Sequence, residues 1–136
     1  MGSGKNLNAT RPIILPMIEP EFRDGLLPVI IQDAASLDVL MFAFMDLEAY
    51  RLTCETCIAH YFSSSRGKLW KKGESSGHLQ HVKEMRIDCD RDSLLLLVVQ
   101  DVAACHTGYR SCFYRTLDGR TVSEKVFEPR DVYGLE

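Results

Sequence analysis

The chain has 136 residues, 16 Lys and Arg against 19 Asp and Glu, a formal net charge of −3, and 46% hydrophobic residues. That is the size of one domain, with enough apolar side chains for a core. The weak acidic balance argues against a general nucleic-acid or membrane-surface binder, and the longest strongly apolar run, Leu94 to Val99, is far too short to cross a bilayer. Met1 to Arg11 is polar and lacks the apolar segment of a secretory signal. Five cysteines, an odd number, then point to reduced thiols used for metal binding or catalysis and to a cytoplasmic setting.

Taken in order, residues 1–20 hold Pro12, Pro16 and Pro20 and read as a loose arm. Gly25 and Pro28 introduce a short strand, Val29 to Asp33. A turn over Ala34 to Asp38 leads to an apolar strand, Val39 to Phe44, and the two strands should form a hairpin. Asp46 is an N-cap for a helix that runs to about Cys57, with Leu47, Tyr50, Cys54 and Cys57 on roughly one face. The Cys54-x-x-Cys57 pair falls on that helix and lacks a glycine knuckle, so core packing is its simpler role. Strands follow over Ile58 to Phe62 and Lys68 to Lys72, joined by the polar turn Ser63 to Gly67. Gly73 to Gly77 is a loop of small residues. Gln80 to Cys89 and Ser93 to Gln100 are strands around a tight turn, Asp90 to Asp92. After the Cys105 to Cys112 loop come a strand, Cys112 to Thr116, and a hairpin turn at Leu117 to Arg120. The pattern is α+β, mostly antiparallel β with one main helix in a compact single domain. Runs such as Val39 to Phe44 suggest that a partner chain covers part of the sheet.

Two blocks carry the chemistry. In Asp88-Cys89-Asp90-Arg91-Asp92, three carboxylates alternate around a thiol. If the block is extended, Asp88, Asp90 and Asp92 share one face and Cys89 points from the other. Like charges about 6–7 Å apart repel unless a hard cation such as Mg²⁺ joins them. In Cys105-His106-Thr107-Gly108-Tyr109-Arg110-Ser111-Cys112, two thiols bracket a loop, and zinc fits Cys89 with Cys105 and Cys112. The strand between the blocks should fold back and bring them together. His106 is the candidate proton carrier, with His60 next; His78 and His81 are weaker. Cations cluster at Arg66, Lys68, Lys71, Lys72, Lys83, Arg110 and Arg115, which suits an anionic small substrate such as a phosphate ester. The N–H groups of the Gly73 to Gly77 loop suit a phosphate as well. Two rivals remain: a non-enzymatic module with zinc on Cys54, Cys57, Cys105 and Cys112, and a magnesium-dependent phosphohydrolase using the Asp face alone.

Leu69 to Gly77, Asp88 to Asp92 and Cys105 to Arg115 together resemble the motifs of phosphoribosyl-AMP cyclohydrolase, and Gly25 to Pro28, Gln32-Asp33 and Ala59 to Ser63 are similar to its pattern too. The resemblance spans roughly residues 20 to 116. Ser75 stands where the family commonly has Thr, and Phe62 where it has Trp. The resemblance implies an N-terminal arm over 1–20, the enzyme domain over 21–118, and a tail over 119–136 packed on the same domain. It implies hydrolytic opening of the N1–C6 bond of the purine in 1-(5-phosphoribosyl)-AMP, a step of histidine biosynthesis, by zinc-activated water with magnesium assistance. Zinc would sit on Cys89, Cys105 and Cys112, and Mg²⁺ on Asp88, Asp90 and Asp92. An intertwined homodimer would supply Cys89 from the partner chain. His106 is the expected catalytic residue. The expected contacts to the phosphorylated nucleotide are Arg66, Lys68, Trp70, Lys72, Gly73, Glu74, Ser75, Ser76, Gly77, Arg110 and Ser111. No nucleic-acid or membrane partner is expected, nor the pyrophosphatase sometimes fused to this domain.

Overall fold

A computed structural model describes residues 14–133; the first thirteen residues of the expected arm lie outside them. The elements are β1 (Leu27–Asp33), β2 (Val39–Met45), α1 (Leu47–Thr56), β3 (His60–Ser63), β4 (Lys68–Lys71), β5 (Gln80–Ile87), β6 (Leu94–Gln100) and a short α2 (Pro129–Tyr133). Four strands form one sheet in the order β2-β1-β6-β5, and β3 pairs with β4 in a second, two-stranded sheet. The hairpin pairing of β1 with β2 is antiparallel, as are β5 with β6 and β3 with β4. β1 and β6 run parallel, Val29 opposite Leu94 and Asp33 opposite Val98. The fold is α+β, built mostly of strands.

Alternation along β1 and β6 sets the core. Leu27, Val29 and Ile31 of β1 and Leu94, Leu96 and Val98 of β6 are buried on one face. They pack with Leu40 and Met45 of β2, with Tyr61 of β3, and with Ala49, Tyr50 and Cys54 of α1. Tyr61 is fully buried and donates its hydroxyl to Gln80 Oε1 at 2.5 Å, so its polar end is satisfied inside the core.

α1 starts where expected, because Asp46 Oδ1 accepts a hydrogen bond from Ala49 N–H at 2.9 Å. It ends at Cys57, which is left-handed with φ of 58°. The buried side is Ala49, Tyr50, Thr53 and Cys54. Leu47, expected on that face, is 53% exposed because it opens the first turn, outside the stripe that meets the sheet. Cys54 and Cys57 are buried, and burial pushes both thiols up from their ordinary range. Cys54 packs in the core, and among the described residues Cys54, Cys57, Cys105 and Cys112 do not converge as a ligand group.

Two expected strands change. Cys112 to Thr116 is irregular, joined to the tail by an isolated bridge between Arg115 and Thr121. The strand expected to end at Cys89 stops at Ile87, because Asp88 starts a turn whose N–H groups it satisfies with its own carboxylate.

Candidate functional site

The Asp block is a turn rather than a strand face. Asp88 Oδ1 accepts from the N–H groups of Asp92 at 2.9 Å and Ser93 at 3.2 Å, and Oδ2 accepts from Ser93 Oγ at 2.7 Å. The Ser93 hydroxyl and these amides hold the Asp88 carboxyl down, to about 2. Burial and the neighbouring Asp90 and Asp88 carboxyls raise Asp92. The turn curls the three side chains toward one point, and one carboxylate oxygen from each lies within 4.8 Å of the others. The convergence expected of a strand face is thus achieved by a tight turn with Arg91 at φ of 66°.

The Cys loop is pinned by its backbone. Ala104 N donates to Arg110 O at 3.0 Å, Cys105 N to Tyr109 O at 3.2 Å, and Cys112 N to Leu40 O at 2.7 Å. Ser111 is buried and donates its hydroxyl to Val39 O at 2.8 Å, so it ties the loop to β2. These bonds bring the thiols of Cys105 and Cys112 together: burial first, and then the adjacent Cys105 thiol, push Cys112 up to about 12, against the pull of Lys72. Two soft donors side by side are half of a zinc site.

Cys89 of the same chain does not join these two thiols. β6 does not fold the blocks together; it separates them. Cys89 precedes its first residue and Cys105 follows its last, and seven extended residues span on the order of 20 Å. Cys89 is exposed at the far end of the sheet.

A cavity of about 310 Å³ opens beside Cys112. Arg66, Trp70, Lys72, Gly73, Glu74, Ser75 and Ser76 line it together with His106, so the basic strand, the small-residue loop and the Cys loop meet there. Met41, Lys71, Ala104 and Tyr133 complete the lining. Lys68, Gly77 and Ser111 are not on its wall. Neither is Arg110, whose guanidinium binds Asp38 at 2.8 Å and lies 3.5 Å from Asp33. His60, the first residue of β3, is buried, and burial lowers its pKa. His81 pairs with Asp101 at 3.1 Å.

Local chemistry explains the loop. Glu74 Oε1 accepts from Lys71 N at 3.2 Å, and Gly77 N donates to Gly73 O at 2.7 Å, which folds the loop on itself. Gly73 has φ of 91°, and a Cβ there would come within 2.7 Å of His78 C and O, so only glycine fits. Lys72 is 7% exposed, and no carboxylate among the described residues pairs with it. Burial lowers its pKa, opposed by the Cys112 and Cys105 thiols. A buried cation next to two thiols and an open cavity favours anions there.

Sequence reasoning missed Tyr133. The only hint was an aromatic residue in a tail with few periodic cues, and its place on the cavity depends on contacts distant in sequence.

The profile of the family "PRA-CH: Phosphoribosyl-AMP cyclohydrolase" matches residues 41–114. Relatives named phosphoribosyl-AMP cyclohydrolase include one from Methanocella arvoryzae, 76% identical over 117 residues that cover 86% of this chain and 98% of the relative. One from Methanosarcina mazei is 66% identical, covering 83% of this chain and 94% of the relative. One from Haloquadratum walsbyi is 59% identical, covering 81% and 83%.

Proposed function

The chain belongs to the phosphoribosyl-AMP cyclohydrolase family, and on that premise we propose that it hydrolyses the N1–C6 bond of 1-(5-phosphoribosyl)-AMP, a step of histidine biosynthesis, at the cavity beside Cys112. The observation that carries this reading is the meeting of His106, Cys112, Lys72 and the Gly73 to Ser76 loop on one cavity wall.

The donor sets fit two metals of different character. Cys105 and Cys112 suit zinc, and an exposed Cys89 from a second copy would complete three thiol ligands. The convergent carboxylates of Asp88, Asp90 and Asp92 suit a hard ion such as Mg²⁺. Zinc bound beside the cavity would act as a Lewis acid and lower the pKa of a water toward neutrality.

The chain's own groups supply binding and proton transfer. Arg66, Lys71 and Lys72 give positive charge for the phosphates, and the Gly73 to Ser76 backbone offers N–H groups. His106 is exposed at the cavity and takes the proton of the attacking water. A C6–O bond forms and the N1–C6 bond breaks as C6=O is made; with the substrate written as the neutral imine, one proton of the water ends on N1 and the other on the exocyclic nitrogen. One water is added, and C6 leaves the ring as a carboxamide.

The second copy has a surface to dock on. The sheet face opposite the core carries Ile30, Phe42 and Val99, 44%, 49% and 46% exposed, with Ile30 facing Phe42 on one side and Leu95 on the other. Covering that face would make a homodimer and bring the exposed Cys89 turn of one copy toward its partner.

The test is to incubate the protein with phosphoribosyl-AMP, zinc and magnesium and follow ultraviolet absorbance. A spectral change with formation of the ring-opened carboxamide is expected. No turnover with both metals supplied overturns the reading, and full turnover by zinc-free, magnesium-loaded protein favours the phosphohydrolase alternative.

A further inference from the structure

Residues 124–133 form a strap across the Cys loop, outside the segment matched by the family profile. Arg110 N donates to Glu124 O at 2.8 Å, and Val126 N donates to Gly108 O at 2.7 Å. Gly108 has φ of 101°, and a Cβ there would collide with the Phe127 carbonyl oxygen, so the loop carries glycine where the strap presses on it. The Phe127 ring meets the His78 ring edge-on at 4.9 Å, and the Tyr133 ring lies 6.3 Å from Phe127. This chain of contacts places Tyr133 on the cavity wall.

Among the described residues, Trp70 and Tyr133 line that cavity with large aromatic rings, beside the imidazole of His106. Trp70 packs on the buried Tyr61 at 5.3 Å, which uses part of its surface in the core. Tyr133 comes from a different element than the cations and N–H groups of β4 and the Gly73 to Ser76 loop. The ring contact is thereby offered by a segment distinct from the one that offers phosphate contacts. An N1-ribosylated adenine is an electron-poor π system and prefers an electron-rich ring as neighbour.

From this arrangement we propose that Tyr133, carried by the C-terminal strap, is a substrate-binding residue whose ring packs on the purine base. The inference rests on the activity proposed above. The contact exists before and during reaction, so it acts on KM more than on kcat.

Tyr133→Ala is expected to raise KM about tenfold, within the range of a lost base–aromatic stack, and to leave kcat within about threefold. Tyr133→Phe should keep the wild-type KM. If the alanine variant does not fold, Tyr133→Leu retains apolar bulk without a π face and should show a raised KM. Zinc content and melting temperature are measured on the same samples. A wild-type KM in Tyr133→Ala, with or without a lower melting temperature, overturns the inference and leaves the activity standing. A Phe variant as impaired as the Ala variant also overturns it, by assigning the contact to the hydroxyl. An inactive wild-type protein removes both readings together.

Discussion

His106 differs from the other three histidines in where it ends up. His60 and His78 are buried, His81 is held by Asp101, and His106 alone is both exposed and on the cavity wall. Replacing it with Asn should lower turnover by roughly 10²–10⁴ while zinc content stays near wild type; a variant with normal turnover would assign proton transfer elsewhere. His60 makes a different prediction. Burial is the largest cause of its lowered pKa, so the folded state binds a proton less readily than the unfolded chain. Its contribution to stability is fully present above the unfolded value of about 6.5 and is lost as pH falls through the lower folded value. Urea midpoints should therefore fall on acidification below about pH 6.5, and His60→Asn should flatten part of that slope. An unchanged slope in the variant would place the titrating group elsewhere.

At the scale of elements, short segments are set by single side chains. Asp46 supplies one acceptor to α1, and α1 supplies Ala49, Tyr50 and Cys54 to the core. Asp46→Ala should cost about 1 kcal/mol, read as a lower denaturant midpoint with the same slope. A loss well below that would mean that packing alone holds the helix start. The Asp88 turn and the Asp46 cap use the same device, a carboxylate accepting backbone N–H groups; the cap was legible from Asp at the edge of an apolar run, whereas Asp88 read as the end of a strand. The exposed position of Leu47 could not, because a helical stripe of residues does not say which edge of it meets the sheet.

For the whole molecule, β6 decides the arrangement. Its seven extended residues hold Cys89 and Cys105 at opposite ends, so a site with all three thiols needs two chains. Cys89→Ser and Cys105→Ser, each inactive alone, should complement when mixed. In a mixed dimer one site receives both substitutions and the other receives none. Random pairing makes about half of the dimers mixed, so about a quarter of sites should recover activity. A mixture as inactive as either variant, with mixed dimers shown to form, would require zinc ligands within a single chain.

The sequence by itself determined what depends on local spacing. Short apolar runs marked the strands β1, β2 and β6, Asp46 marked the start of α1, and three ordered motifs marked the family. The donor types, thiols in one loop and carboxylates in one turn, were legible for the same reason, since each cluster lies within eight consecutive residues. Tertiary structure decided what depends on strand pairing and direction. The parallel pairing of β1 with β6, the distance between Cys89 and Cys105, and the ion pairs that hold Arg110 away from the cavity all arise between residues far apart in the chain. Tyr133 belongs with them: its place on the cavity follows from strap hydrogen bonds to Gly108 and Arg110, and backbone bonds of that kind leave no side-chain pattern to read.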